Sequence, residues 1–185
     1  MRAEHEQLYQ RIETFCFDDS FDQYELKLPF ISRLARENGW PEIYAARVIE
    51  EYRRFMLLAT AGGHPVSPSD QVDQVWRLHL LYTRSWNRFC SEVLARPFHQ
   101  EPTRGGLEEQ AKFKAWYTRT LESYRLIFGE PPQDIWPDSS VRFGQDLYYQ
   151  RVNTKRFLII PKVWATRMVL ASLAAVVTML LAAAL

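Results

Sequence analysis

The sequence predicts an all-α protein, a soluble helical bundle of about five helices followed by one C-terminal transmembrane helix. Three observations carry this. Apolar residues recur at three- and four-residue steps along most of the first 128 positions, the spacing of a helix face rather than the alternation of a strand. Gly, Pro, Ser and Asp cluster between those stretches, where helices start and stop. Residues 168–185 (MVLASLAAVVTMLLAAAL) carry no charge and no polar stripe, which is the membrane template rather than that of an amphipathic core helix.

The elements follow in order. Residues 4–17 put Leu8, Ile12 and Phe15 on one stripe, and the DDSFD cluster ends that helix. A second helix covers 28–37 and stops at Asn38 and Gly39, a left-handed C-terminal signal. Pro41 opens a third, in which Tyr44, Val48, Tyr52, Phe55 and Leu58 share a face until Gly62, Gly63 and Pro65. The fourth is expected to begin with Ser67 as N-cap, Pro68 at the first turn and Asp70 on the favourable end of the dipole. It should reach about Leu94 as the longest soluble helix. After PFHQEPTRGG a fifth runs from Leu107 to Phe128, closed by Gly129 and two prolines. The stretch 133–158 lacks strong periodicity, and only its runs DLYYQRV and RFLII carry a weak hairpin signal.

At about 1.5 Å per residue, the 18 uncharged residues span about 27 Å. Adding Val163–Arg167 extends this to about 34 Å, enough to cross a hydrocarbon core of about 30 Å. Residues 151–167 hold five basic side chains and no acidic one, which leaves 18 basic against 22 acidic residues, a net of −4, over 1–150. Basic residues beside an apolar run favour the cytoplasmic, anionic lipid surface, with Trp164 and Arg167 as membrane anchors. Headgroups therefore account for the basic stretch and nucleic acid is not an expected partner. The charged opening segment has no signal-peptide core, so the soluble part should stay on the side where it is made. The organisation expected is a bundle domain at 1–132, an irregular basic segment at 133–162 and a transmembrane helix at 163–185.

The two cysteines, Cys16 and Cys90, form no CxxC pair and are expected as thiols. No GxSxG, HExxH, P-loop or Rossmann spacing occurs, and no cofactor is expected. Candidate polar chemistry gathers at Asp73, Trp76, Arg77, His79, Thr83, Cys90 and His99, with His64 and Asp70 upstream. His79, Thr83, Trp86 and Cys90 share a helix face, but His79 and Cys90 lie about 16 Å apart along the axis, too far for one metal ion. Asp73, six residues before His79, points about 240° away from it. A metal centre would need Asp73 or His79 to meet His99 or His64 from a loop. Otherwise His79 is a hydrogen-bonded core histidine, Cys90 a small buried hydrophobe and Asp73–Arg77 a helix ion pair.

The runs RLARENGW, EYRRFMLLA, PVSPSDQVDQVWRLHLLYTRSW, PFHQEPTRGG and RVNTKRFLIIPK resemble the N-terminal region of bacterial glycine-rich-domain-containing membrane proteins, which are distantly similar to plant glycine-rich domain proteins. The likeness covers about residues 25–165 and implies a helical domain without an assigned activity, followed by membrane spans. In that family's pattern the tryptophan is commonly followed by His, where Arg77 stands here, and the loop often has two histidines, where His99 precedes Gln100. If the family pattern holds a ligand or metal at those positions, Asp73 and a histidine one turn later would make an i, i+4 chelating pair, and Arg77 replaces it with a salt bridge. With only seven Gly, the chain has no glycine-rich region.

Two functions are expected from different classes. One is a non-enzymatic, membrane-anchored interaction or scaffolding module that recruits a protein partner through an aromatic surface around Trp76, Tyr82 and Trp86. The alternative is a metal-dependent or hydrolytic enzyme using Asp73, His79 and His99. The two differ in whether those three side chains converge in an open pocket.

Overall fold

A computed structural model describes residues 3–18, 28–99, 106–144, 152 and 157–183. Every regular element among them is helical, and there is no strand. The weak hairpin expected between the DLYYQRV and RFLII runs falls mostly outside the described residues. The chain divides into two compact units, Met1–Tyr148 and Tyr149–Leu185.

The first unit is built around α3 (Glu42–Ala61), which packs against α1 (Ala3–Thr14), α2 (Phe30–Asn38), α4 (Asp70–Leu81) and α6 (Leu107–Phe128). Consecutive residues Phe55, Met56, Leu57 and Leu58 are all buried, so the last turns of α3 are covered all round. Helix α2 follows Pro29, which has no side-chain acceptor to cap it. Asp18 does so instead, taking the Phe30 N–H at 3.0 Å. At its other end Gly39 has the expected left-handed conformation (φ 69°), and the Trp40 N–H reaches the Ala35 carbonyl at 2.9 Å, which closes the helix as a Schellman motif.

The expected long fourth helix is corrected in two places. Its N-cap is Ser69 rather than Ser67, because it is the Ser69 Oγ that lies within reach of a free first-turn donor, the Val72 N–H, at 3.2 Å. Ser67 instead donates its N–H to Thr120 Oγ1 on α6 at 3.0 Å. The helix also breaks at Tyr82 (ψ 62°), giving α4, a short α5 (Thr83–Arg88) and a π-helical turn (Phe89–Leu94) closed by left-handed Ala95 (φ 54°). The longest helix of this unit is therefore α6.

The bundle also extends past the expected boundary at 132. Ile135 and Trp136 are fully buried core residues, and Asp134 is held on α3 by both guanidinium nitrogens of Arg47, at 2.8 and 2.9 Å. A short α7 (Ser139–Gly144) then packs on α6. In the second unit, α8 (Lys162–Ala183) is long and apolar enough to cross a membrane, and its stretch Lys162–Leu180 is not buried.

Candidate functional site

Of the expected cluster, His79 is the most enclosed. Its side chain is wholly buried, ringed by Phe15, Phe17, Phe30, Tyr52, Trp86 and Phe89 with centroids 4.8 to 6.2 Å away. Both ring nitrogens are used: Nδ1 shares a hydrogen bond with the Tyr52 hydroxyl at 2.9 Å and Nε2 with Ser85 Oγ at 3.3 Å. In a straight helix, residues 79 and 85 would point about 120° apart and lie about 9 Å apart along the axis. The break at Tyr82 is what turns Ser85 back onto the imidazole. Burial lowers the His79 pKa to about 3, so the ring is neutral at physiological pH.

The other candidates lie elsewhere. Asp73 is buried against the exposed Arg77, Oδ2 to Nε 2.6 Å, the expected i, i+4 pair. Thr83 is exposed on α5. His64 spans loop and helix: Nδ1 is 2.8 Å from the Pro65 carbonyl and Nε2 is 2.6 Å from Ser123 Oγ. Because a carbonyl only accepts, Nδ1 donates to Pro65. Among the described residues no three His, Cys, Asp or Glu side chains are grouped to hold a metal, and the lining of the cleft that holds His99 does not include His79.

The expected aromatic surface is also corrected, since Trp76, Tyr82 and Trp86 are buried. Trp76 packs on Phe55 and Phe98, Tyr82 on Phe30 under the Arg33 guanidinium, and Trp86 on His79 and Phe89. Large rings on a helix that crosses the bundle contribute more inside it than on its surface.

An open cleft of about 440 Å³ lies beside the π-helical turn, lined by Trp86, Asn87, Cys90, Ser91 and the segment Ala95–His99. It contains two of the expected residues, Cys90 and His99. Burial pushes the Cys90 thiol up, against a smaller opposing effect of the Phe98 backbone, so it stays protonated and is a poor nucleophile. Arg96 is braced over the Phe98 ring at 5.8 Å, and its Nη2 donates to the Ala59 carbonyl at 3.0 Å. A π-helical turn and a left-handed alanine, which costs about 1–2 kcal/mol, meet at this one cleft, and both features recur at functional sites.

A second polar centre, not among the residues expected from the sequence, surrounds Glu51. Glu51 is buried, and its Oε2 accepts from the Tyr124 hydroxyl at 2.7 Å and from Trp136 Nε1 at 2.9 Å. Arg54 Nη1 donates to Glu51 Oε1 and to the Tyr124 hydroxyl, both at 2.8 Å. Burial alone would lower the Arg54 pKa, but Tyr124, Glu51 and Tyr9 together raise it. Burial, reinforced by Glu51, pushes the Tyr124 phenol up in turn. A signal was available: Glu51 stands three residues after Val48 and four before Phe55, in register with the apolar face.

A family model described as UCP032817-like matches residues 18–120, a stretch that contains the cleft, His79 and Glu51, though not Tyr124 or Trp136. Nothing in that match links the chain to glycine-rich-domain proteins. No curated protein and no solved structure matches it.

Proposed function

The chain belongs to the UCP032817-like family, and from that premise we propose that it is a membrane-tethered interaction module, with α8 as a single-pass anchor and the helical domain facing the cytoplasm. The cleft beside the π-helical turn is then its recognition site. The observation that carries this is the cleft's make-up: aromatic rings from Trp86 and Phe98 with polar groups from Asn87, Ser91, Arg96 and His99 at one open depression. That is the mixture of anchor and rim found where proteins take hold of partners. Further support comes from the polar groups elsewhere. His79 and Glu51 already have internal partners, so they serve the fold rather than a substrate. The likeness to bacterial glycine-rich-domain-containing membrane proteins belongs to the same proposal.

A photo-cross-linking residue at Ser91 of the full chain tests the cleft. A discrete protein adduct is expected in cells, lost when Phe98→Asp is added. No adduct, or one indifferent to Phe98, overturns the reading. Protease outside intact cells should spare residues 1–150, and digestion there reverses the orientation. The enzyme alternative predicts a stoichiometric transition metal that His79→Ala removes.

A further inference from the structure

Four consecutive large apolar side chains, Phe157, Leu158, Ile159 and Ile160, stand 61, 87, 63 and 40% exposed just before α8. Such a run is costly in water and calls for a covering surface. It is not a continuation of the helix. Pro161 holds Ile160 away from helical backbone, and the Pro161 carbonyl takes the Trp164 and Ala165 N–H groups at 2.9 and 3.1 Å, so α8 starts only after it. Within α8 the Arg167 guanidinium lies over the Trp164 ring at 5.9 Å, so the cation reaches back toward the start of the helix. That direction suits a charge drawn up to phosphate from a backbone position already inside hydrocarbon. The hydroxyls of Thr166, Ser172 and Thr178 donate to carbonyls four residues back at 2.9, 2.9 and 2.8 Å, which leaves them satisfied without water.

We infer that Phe157–Ile160 is a shallow wedge in the headgroup–acyl boundary of the bilayer that α8 crosses, with Trp164 at that boundary and Lys162 and Arg167 on lipid phosphates. The inference rests on the membrane reading of α8. The occupant is lipid rather than protein because of chain continuity: Ile160 and Lys162 are separated by one residue, so their Cα atoms are at most about 7 Å apart. A helix held in the bilayer therefore holds the wedge at its surface. The hydrocarbon then begins near Trp164, about 6 Å earlier along the helix than the uncharged run from Met168 indicates.

The test uses the full chain carrying Cys16→Ser and Cys90→Ala, with an environment-sensitive fluorophore on Leu158→Cys or Val176→Cys, in phosphatidylcholine vesicles with and without phosphatidylglycerol. Both labels should be shielded from iodide. The label at 158 should be quenched by a nitroxide near the headgroup and that at 176 by a deep one. Adding Phe157→Ser and Ile159→Ser should raise iodide quenching at 158 several-fold while leaving 176 unchanged. Iodide access at 158 with 176 shielded overturns the wedge and leaves the anchor, whereas access at both overturns both. Shielding at 158 that disappears as protein is diluted in lipid points to a second copy and also overturns the proposal.

Discussion

Glu51 and Tyr52 are neighbours on α3 yet serve two opposite kinds of buried polar centre. Tyr52 faces the imidazole of His79, which is neutral and can be wrapped in six aromatic rings with one hydrogen bond at each nitrogen. Glu51 faces the other side, where a carboxylate meets two neutral donors, Tyr124 and Trp136, and the cation of Arg54. The difference follows from desolvation. A neutral ring loses little on leaving water if its nitrogens stay bonded, whereas an ion loses several kcal/mol, about as much as a close counter-ion and further donors return. Two adjacent positions thus tie α3 to α4 on one side and to α6 and the Trp136 turn on the other.

The sharpest way to break this comparison is Glu51→Ala, which leaves Arg54 without its carboxylate and Trp136 Nε1 without an acceptor. We expect a loss of about 3–5 kcal/mol in urea unfolding of the full chain in detergent; a loss below 1 kcal/mol would show that the centre is not a charged latch. The His79 side is read by pH. Its pKa is lowered from 6.5 to about 3 in the folded chain, so between those values the unfolded chain binds a proton that the folded one refuses. The stability this group contributes is complete above 6.5 and falls as pH drops toward 3, by at most about 1.4 kcal/mol per unit. His79→Phe should remove that slope, so parallel pH curves for the two proteins would refute it.

Smaller effects sharpen the contrast. Tyr52→Phe strips one partner from the buried imidazole without opening a cavity, and about 1–2 kcal/mol should be lost. Arg47→Ala removes a bidentate pair that is about half exposed on both sides, and the thermal midpoint should stay close to that of the parent protein. If Arg47→Ala proved as damaging as Glu51→Ala, burial would not be what separates these ion pairs.

Much of the scaffold was legible in the chain. Helix α6 has the expected ends, Leu107 and Phe128, because apolar periodicity and a following Gly129 with φ 86° agree. The stop at Gly39 was legible for the same reason. The break at Tyr82 was not, since His79, Thr83, Trp86 and Cys90 keep helical spacing across it and periodicity alone reads one continuous face. Only the packing of Trp86 and Ser85 around a buried imidazole makes two segments preferable to one. The same packing buries most of Trp76, Tyr82 and Trp86, the residues expected to form an aromatic surface, and leaves only an edge of Trp86 to line the cleft.

By itself the sequence determined the helical class, most helix ends and the one apolar span, because those depend on neighbours within a few positions: spacing, caps and hydropathy. Tertiary structure alone decided which polar residues are used inside. Glu51 is separated from Tyr124 by 73 residues and from Trp136 by 85, and His79 from Tyr52 by 27, and no local rule carries information over such distances. Whether a buried polar group is satisfied depends on which side chains the folded chain brings to it, and that is settled only when the helices pack.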